Sequence, residues 1–236
     1  MDVKVHGITL SAVNYKESDR ILNVFTLEKG KITVSARGVR KATAKMKAVS
    51  EPFCFAESVL IERAGRYTVK ETDVSDTFYS LRLNLKKYYA GLCALEFTNA
   101  FFPEETVSED MFALLVDYLK KLSLDCDEEI LLAEFFLRAL EISGYALSLT
   151  ACNKCGAEIR ERVFFASDGS VVCADCRKNG DKEFSFSTYA YLKRVASGEE
   201  QNETPDDKKN GLRFFAYYIT RASGVTLKCL PPLISL

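Results

Sequence analysis

Ile21-Leu22-Asn23-Val24-Phe25-Thr26-Leu27, then Glu28-Lys29-Gly30, then Lys31-Ile32-Thr33-Val34-Ser35-Ala36-Arg37 is the stretch on which the fold of the amino-terminal third turns. On either side of a glycine-bearing break the apolar side chains recur at every second position, which is the pattern of a β-hairpin. In its second arm Ile32, Val34 and Ala36 face inward, leaving Lys31, Thr33, Ser35 and Arg37 on the opposite face. A second hairpin lies carboxyl-terminal to it: Phe53 to Glu62, a turn at Arg63-Ala64-Gly65-Arg66, then Tyr67 to Val74. With one more alternating run at 3–12, the first 78 residues hold about five strands, a number and spacing that suit a small closed barrel of the OB type.

From about Phe78 the period lengthens to that of a helix. Leu81, Leu85, Tyr88, Leu92 and Leu95 share one face, and Met111, Leu114, Leu115, Tyr118, Leu119 and Leu122 share another after a cap at Ser108. Residues 127–143 are apolar nearly all round, as a buried helix is, and stop at Gly144. Thr204-Pro205-Asp206-Asp207 supplies a cap, a first-turn proline and acids suited to a helix start, followed by Leu212, Phe215, Ala216 and Ile219. The expected architecture is α+β: an OB-fold domain at 1–78, then a helical domain at 79–236 carrying an insert at about 150–180.

The whole chain has 236 residues, 47% of them hydrophobic and 28% charged, with a net charge of −1. Residues 1–80 carry 13 cations and 10 anions, whereas the remainder carries 19 and 23, so a basic half adjoins an acidic one. His6 is the one histidine, in an alternating strand, so catalysis through histidine triads or histidine-ligated metals has almost nothing to work with. There is no GxxxxGK[ST] phosphate loop and no GxGxxG turn, and the reading is that the protein is not an enzyme. The first 15 residues lack the apolar core of a signal peptide and no stretch is apolar enough to span a bilayer, so the expected location is cytoplasmic with no membrane partner.

Cys152-Asn153-Lys154-Cys155-Gly156 and Cys173-Ala174-Asp175-Cys176 are two CxxC pairs at the spacing of four-thiolate zinc sites. Each pair aims two sulfurs at one point, and two pairs complete a tetrahedron. Phe164-Phe165 and Val171-Val172, flanking Asp168-Gly169, fit a small hairpin leading into the second pair. Four protein thiolates leave no open position, so the expectation is one structural Zn²⁺ per chain. Cys54, Cys93, Cys126 and Cys229 stand singly among apolar residues and read as reduced core side chains.

Lys29, Lys31, Arg37, Arg40, Lys41, Lys45 and Lys47 place seven cations ahead of the next acid, Glu51. Small residues separate them, so the segment can follow a phosphate backbone but has little bulk with which to read bases. Phe25, Phe53 and Phe55 read as barrel core. Tyr67, beside Arg63 and Arg66 at a hairpin tip, suits core or base stacking equally.

Asn14-Tyr15-Lys16-Glu17-Ser18-Asp19-Arg20-Ile21-Leu22, Val24-Phe25-Thr26, Gly30-Lys31-Ile32, Arg37-Gly38-Val39-Arg40-Lys41 and Glu51-Pro52-Phe53, in that order, resemble the opening of the RecO family of bacterial recombination mediators. The likeness continues through a helical domain with a four-cysteine insert. It departs at the end, where Leu227-Lys228-Cys229 runs into Leu230-Pro231-Pro232 instead of a basic, aromatic tail. The resemblance implies a nucleoid-associated, non-enzymatic protein of recombinational repair. Such a protein binds single- and double-stranded DNA, promotes annealing, partners with RecR and single-strand-binding protein, and helps load RecA. It implies nucleic-acid contacts at Lys31, Arg37, Arg40, Lys41, Lys45 and Lys47, to which the position of Arg66 adds one more, and metal ligands at Cys152, Cys155, Cys173 and Cys176. An RNA-binding barrel and a zinc-stabilised protein–protein adaptor are the alternative readings.

Overall fold

The computed structural model describes residues 1–44, 46–166, 170–199 and 203–236, which fall into two compact units, Met1–Asp125 and Cys126–Leu236. The first unit opens with five strands: β1 (Asp2–Tyr15), β2 (Asp19–Thr26), β3 (Gly30–Ala36), β4 (Phe55–Arg63) and β5 (Arg66–Asp76). They close into a barrel in the order β1-β2-β3-β5-β4, with β3 and β5 parallel and the other pairs antiparallel. This is the OB arrangement, and it follows from the alternation: Val5, Leu22, Ile32, Val34, Ala36, Leu60, Tyr67 and Val69 fill the interior, while every second residue points out.

Tyr67 belongs to that interior and is only 6% exposed, so it is not a stacking surface. Phe25, Phe53 and Phe55 pack against helices instead of filling the barrel's centre. Phe25 meets Phe102 at 5.5 Å between ring centroids, Phe55 meets Phe112 at 6.1 Å and Phe53 meets Tyr88 at 5.7 Å. These partners belong to or directly follow α1 (Leu85–Phe101) or lie on α2 (Glu109–Leu122). Asn84 caps α1 by accepting from Lys87 N, and Ser108 caps α2 by accepting from Met111 N, as its position before two acids foretold. Gly30 starts β3 at φ +66°, and a Cβ there would come within 2.1 Å of Thr106 O, so the turn requires glycine twice over.

The second unit contains α3 (Glu128–Ile142), α4 (Phe186–Ser197), α5 (Pro205–Ser223), α6 (Leu230–Ser235) and a small sheet of β6 (Val163–Phe165), β7 (Val171–Cys173) and β8 (Lys182–Phe184) in the order β7-β6-β8. Thr204 and Asp207 form a reciprocal capping box at the start of α5, and Gly224 ends it in the left-handed conformation. Leu212, Phe215 and Ile219 are buried as their spacing requires, and Phe214 and Tyr218 are buried with them. The sheet is joined to α5 through aromatic rings: Phe214 lies 4.5 Å from Phe165 and 5.3 Å from Phe184. α6 begins with two prolines in its first turn, where their missing N–H groups cost nothing, and buries Leu230 and Leu233. The Asp168-Gly169 turn lies outside the described residues. Among those described, no helix is long and apolar enough to cross a membrane.

Candidate nucleic-acid interface and metal centre

Strand register brings the cations together. Arg63 faces Arg66 across a two-residue turn, Ile61 faces Thr68, Thr68 pairs with Ser35 across the parallel closure, Ser35 faces Ile21, and Tyr15 faces Asp19. All of these residues, with Lys16, Arg37 and Ala64, line one groove of about 900 Å³ on the outer surface of the barrel. The turn that sets Arg63 beside Arg66 has Ala64 at φ 50° and Gly65 at φ 70°, the doubly left-handed geometry that suits a tight hairpin. Like charges directly opposite each other destabilise a sheet. Yet Arg63, Arg66 and Arg37 have no carboxylate within ion-pair distance among the described residues. Asp19 is the one acid in the groove, and its carboxylate accepts from Gly38 N at 2.8 Å and Ser18 Oγ at 3.1 Å. The Gly38 N–H, and to a lesser extent the charges of Lys16 and Arg37, hold it below the usual carboxylate range.

The seven sequence-named cations therefore separate. Arg37 and Arg66 are in the groove. Arg40 is exposed on its rim, where its guanidinium donates to the carbonyls of Lys16 (3.1 Å) and Glu17 (3.0 Å) and so holds the β1–β2 turn. Lys41 and Lys47 are exposed on the loop that follows, outside the groove. Lys31 turns away: it is half-buried, its Nζ donates to Asn99 O at 2.6 Å, and burial lowers its pKa. Lys45 lies outside the described residues.

Lys16, Arg63 and Tyr15 complete the groove, although none of them belongs to the cation run at 29–47. The signal that finds them is the strand order itself, since an OB barrel brings the β1–β2 and β4–β5 turns to one end. The loop is pinned by residues remote in sequence. Arg20 donates to Glu51 Oε1 at 2.6 Å and to Ser50 O at 2.9 Å, while Asp19 holds Gly38.

In the second unit the Sγ atoms of Cys152, Cys155, Cys173 and Cys176 lie within 4.8 Å of one another, with Cys155 and Cys173 3.8 Å apart. A tetrahedral ion with bonds of about 2.3 Å has sulfur–sulfur edges of about 3.8 Å, so the four residues fit a metal ion. The first knuckle is built by Gly156 N donating to Cys152 O (2.8 Å) with Gly156 at φ +73°, and Asn153 N donating to Val171 O (2.8 Å) ties it to β7. Burial opposes ionisation of Cys152, but the backbone N–H groups of Cys173, Cys155 and Lys154 outweigh it and draw its pKa down to about 6. Hydrogen bonds from Cys155 and Cys173, with burial, push Cys176 up to about 12. Four sulfurs this close cannot all ionise unaided, and a bound cation removes that conflict.

Cys54 is buried, which pushes its pKa up to about 11, and Cys93 is buried too, whereas Cys126 and Cys229 are half-buried. A hollow of about 560 Å³ in this unit is lined by Ile159, Phe186 and Ala190 with charges of both signs, among them Lys193, Glu199 and the Arg160–Glu158 pair at 2.9 Å.

Comparison with known proteins covers both units. The family model described as "Recombination protein O N terminal" matches residues 1–78, and "Recombination protein O C terminal" matches 82–231. The chain is 32% identical over 187 residues to the DNA repair protein RecO of Caldicellulosiruptor bescii, covering 78% of this chain and 76% of that one. To the RecO of Exiguobacterium it is 27% identical over 230 residues, covering 95% and 92%. To that of Caldicellulosiruptor saccharolyticus it is 29% identical over 196 residues, covering 83% and 80%. With an OB barrel followed by a helical body and a four-cysteine cluster, the chain belongs to the Recombination protein O family, whose members are DNA repair proteins.

Proposed function

We propose that this protein binds single- and double-stranded DNA through the barrel groove and acts without catalysis. In that role it promotes annealing of complementary strands and helps load recombinase onto DNA covered by single-strand-binding protein. The observation that carries the proposal is the convergence of Lys16, Arg37, Arg63 and Arg66 in one groove. Two of these guanidiniums face each other, a placement that a phosphate relieves. Phosphate contacts of this kind are independent of sequence. Arg40 contributes by holding the turn that carries Lys16, and the exposed Lys41 and Lys47 extend the cationic path along the loop.

The metal at the four cysteines is proposed to be one structural Zn²⁺ per chain, which fits an all-thiolate set. RecR, single-strand-binding protein and, functionally, RecA are the proposed partners, and the nucleoid is the proposed location.

The binding test is anisotropy of a labelled oligonucleotide between about 50 and 200 mM salt. Four phosphate contacts on a single strand give a log–log slope of about −3, and R37A/R66A shallows it by about 1.4 and weakens unrelated sequences alike. Salt-independent binding overturns the proposal, and strong preference for matched RNA transfers it to RNA. An annealing assay on strands coated with single-strand-binding protein tests the larger role, and a pull-down with that protein's tail peptide tests the adaptor function.

A further inference from the structure

Tyr15 has no structural reason to be where it is. It ends β1 and is 49% exposed, and Val13, two residues earlier, is 62% exposed. An outward-facing aromatic beside an aliphatic on a wet strand face stabilises nothing in the barrel. Lys16 follows at φ 54°, a left-handed conformation that a lysine adopts at a cost, and its Nζ lies 5.3 Å from the centroid of the Tyr15 ring. Arg40 donates to the Lys16 carbonyl at 3.1 Å, which holds the backbone of the turn that carries the pair. Tyr15 lies within the same groove as Arg37, Arg63 and Arg66.

We propose that Tyr15, backed on one ring face by Lys16, is a base-stacking platform that gives the groove a preference for unpaired nucleotides over duplex. The proposal rests on the reading of the groove as a phosphate-binding surface. Cations engage the backbone of either form, but a tyrosine face can take only a base that is not already stacked and paired. Lys16 leaves one face of the ring for that base and adds a charge for the adjoining phosphate.

The protein has no tryptophan, so Tyr15→Trp introduces a single indole reporter at the platform. Its emission is expected to be quenched by a single-stranded oligonucleotide and not by a duplex closed at both ends by hairpins. Y15A is expected to lower affinity for the single strand about tenfold, leaving the closed-duplex affinity and the salt slope unchanged, while Y15F retains the parent affinity. Equal quenching by both forms, no quenching by either, or an equal loss on both in Y15A overturns the platform. If R37A/R66A still weakens both forms, the groove reading survives that failure. If R37A/R66A changes neither, the groove reading falls with it.

Discussion

The barrel of the first unit is made of strands 7 to 14 residues long that enclose their own apolar interior, whereas the sheet of the second is made of three strands of three residues each. A sheet so short cannot enclose a core. Val163, Phe164, Phe165, Val171 and Val172 are buried nonetheless, with the four-cysteine cluster at one end and the Phe214 ring of α5 alongside. The two regions differ in how short β-segments can persist: closure satisfies the strand edges of the first, whereas the second places four cysteines where one bound ion would cross-link it and offset the conformational entropy that so few contacts do not. The difference also separates their surfaces. Where helices do not cover it, the outer face of a closed barrel is free to carry unneutralised cations, as the groove with Arg37, Arg63 and Arg66 does.

The largest break in that comparison comes from the metal. Prolonged chelation, or Cys176→Ser, is expected to remove a local stabilisation on the order of 10 kcal/mol. Hydrogen exchange should then rise throughout 150–184 and stay low in β1–β5, and metal analysis of the parent should give one ion per chain. Equal loosening of the barrel would show that closure is not self-sufficient. Next is Phe214→Ala, which empties a fully buried site joining sheet to helix and should cost about 3–5 kcal/mol in denaturant unfolding of the second unit.

A smaller effect of opposite sign is expected at Tyr191. Its hydroxyl is buried without a hydrogen-bond partner among the described residues, and its ring sits where a Cβ on Gly211 would approach to 2.2 Å. Tyr191→Phe removes the unsatisfied group and keeps the ring, so stability should be unchanged or raised by up to about 1 kcal/mol, read from the urea midpoint.

The smallest effect tests whether the barrel's exterior charges matter to its fold. His6 Nδ1 lies 2.7 Å from Glu28 Oε1 and Nε2 lies 3.1 Å from Glu57 Oε2. The hydrogen bond to Glu28 raises its pKa above 6.5, slight burial opposes this, and the charges of both carboxylates add to the rise. Because the folded pKa is raised, the contribution is full below about pH 6.5 and is lost as pH climbs through the folded value. The imidazole is 40% exposed, so the effect is a few tenths of a kcal/mol. His6→Gln should lower the urea midpoint at pH 5.5 and leave it unchanged at pH 8.5.

Much of this was legible from residues alone. Alternation at 21–37 and 53–74 placed β2 to β5, and the CxxC spacing named the four cysteines that converge. Both are local signals: a period of two marks a half-buried strand, and a two-residue gap between cysteines sets two sulfurs on one turn. The cation run was harder to read. It mixed Arg37, which reaches the groove, with Lys31, whose amine donates to Asn99 O, because the two share the outward face of one strand and only the helix packed beside its start separates them. Tyr67 was undecided for the same reason, since a residue at a hairpin tip can fall on either side of a barrel wall. α4 and α6 were not anticipated: α4 has no acid in its first turn to mark its start, and α6 is only six residues long and opens with two prolines.

Strand alternation, helix caps and ligand spacing arise from contacts within a few residues, and the chain specifies these without help from its fold. Which side chains share a surface depends on closure. The parallel pairing of β3 with β5, Ser35 against Thr68, is what carries Arg63 and Arg66 to Arg37 and Tyr15, and no interval along the chain encodes a pairing between strands more than thirty residues apart.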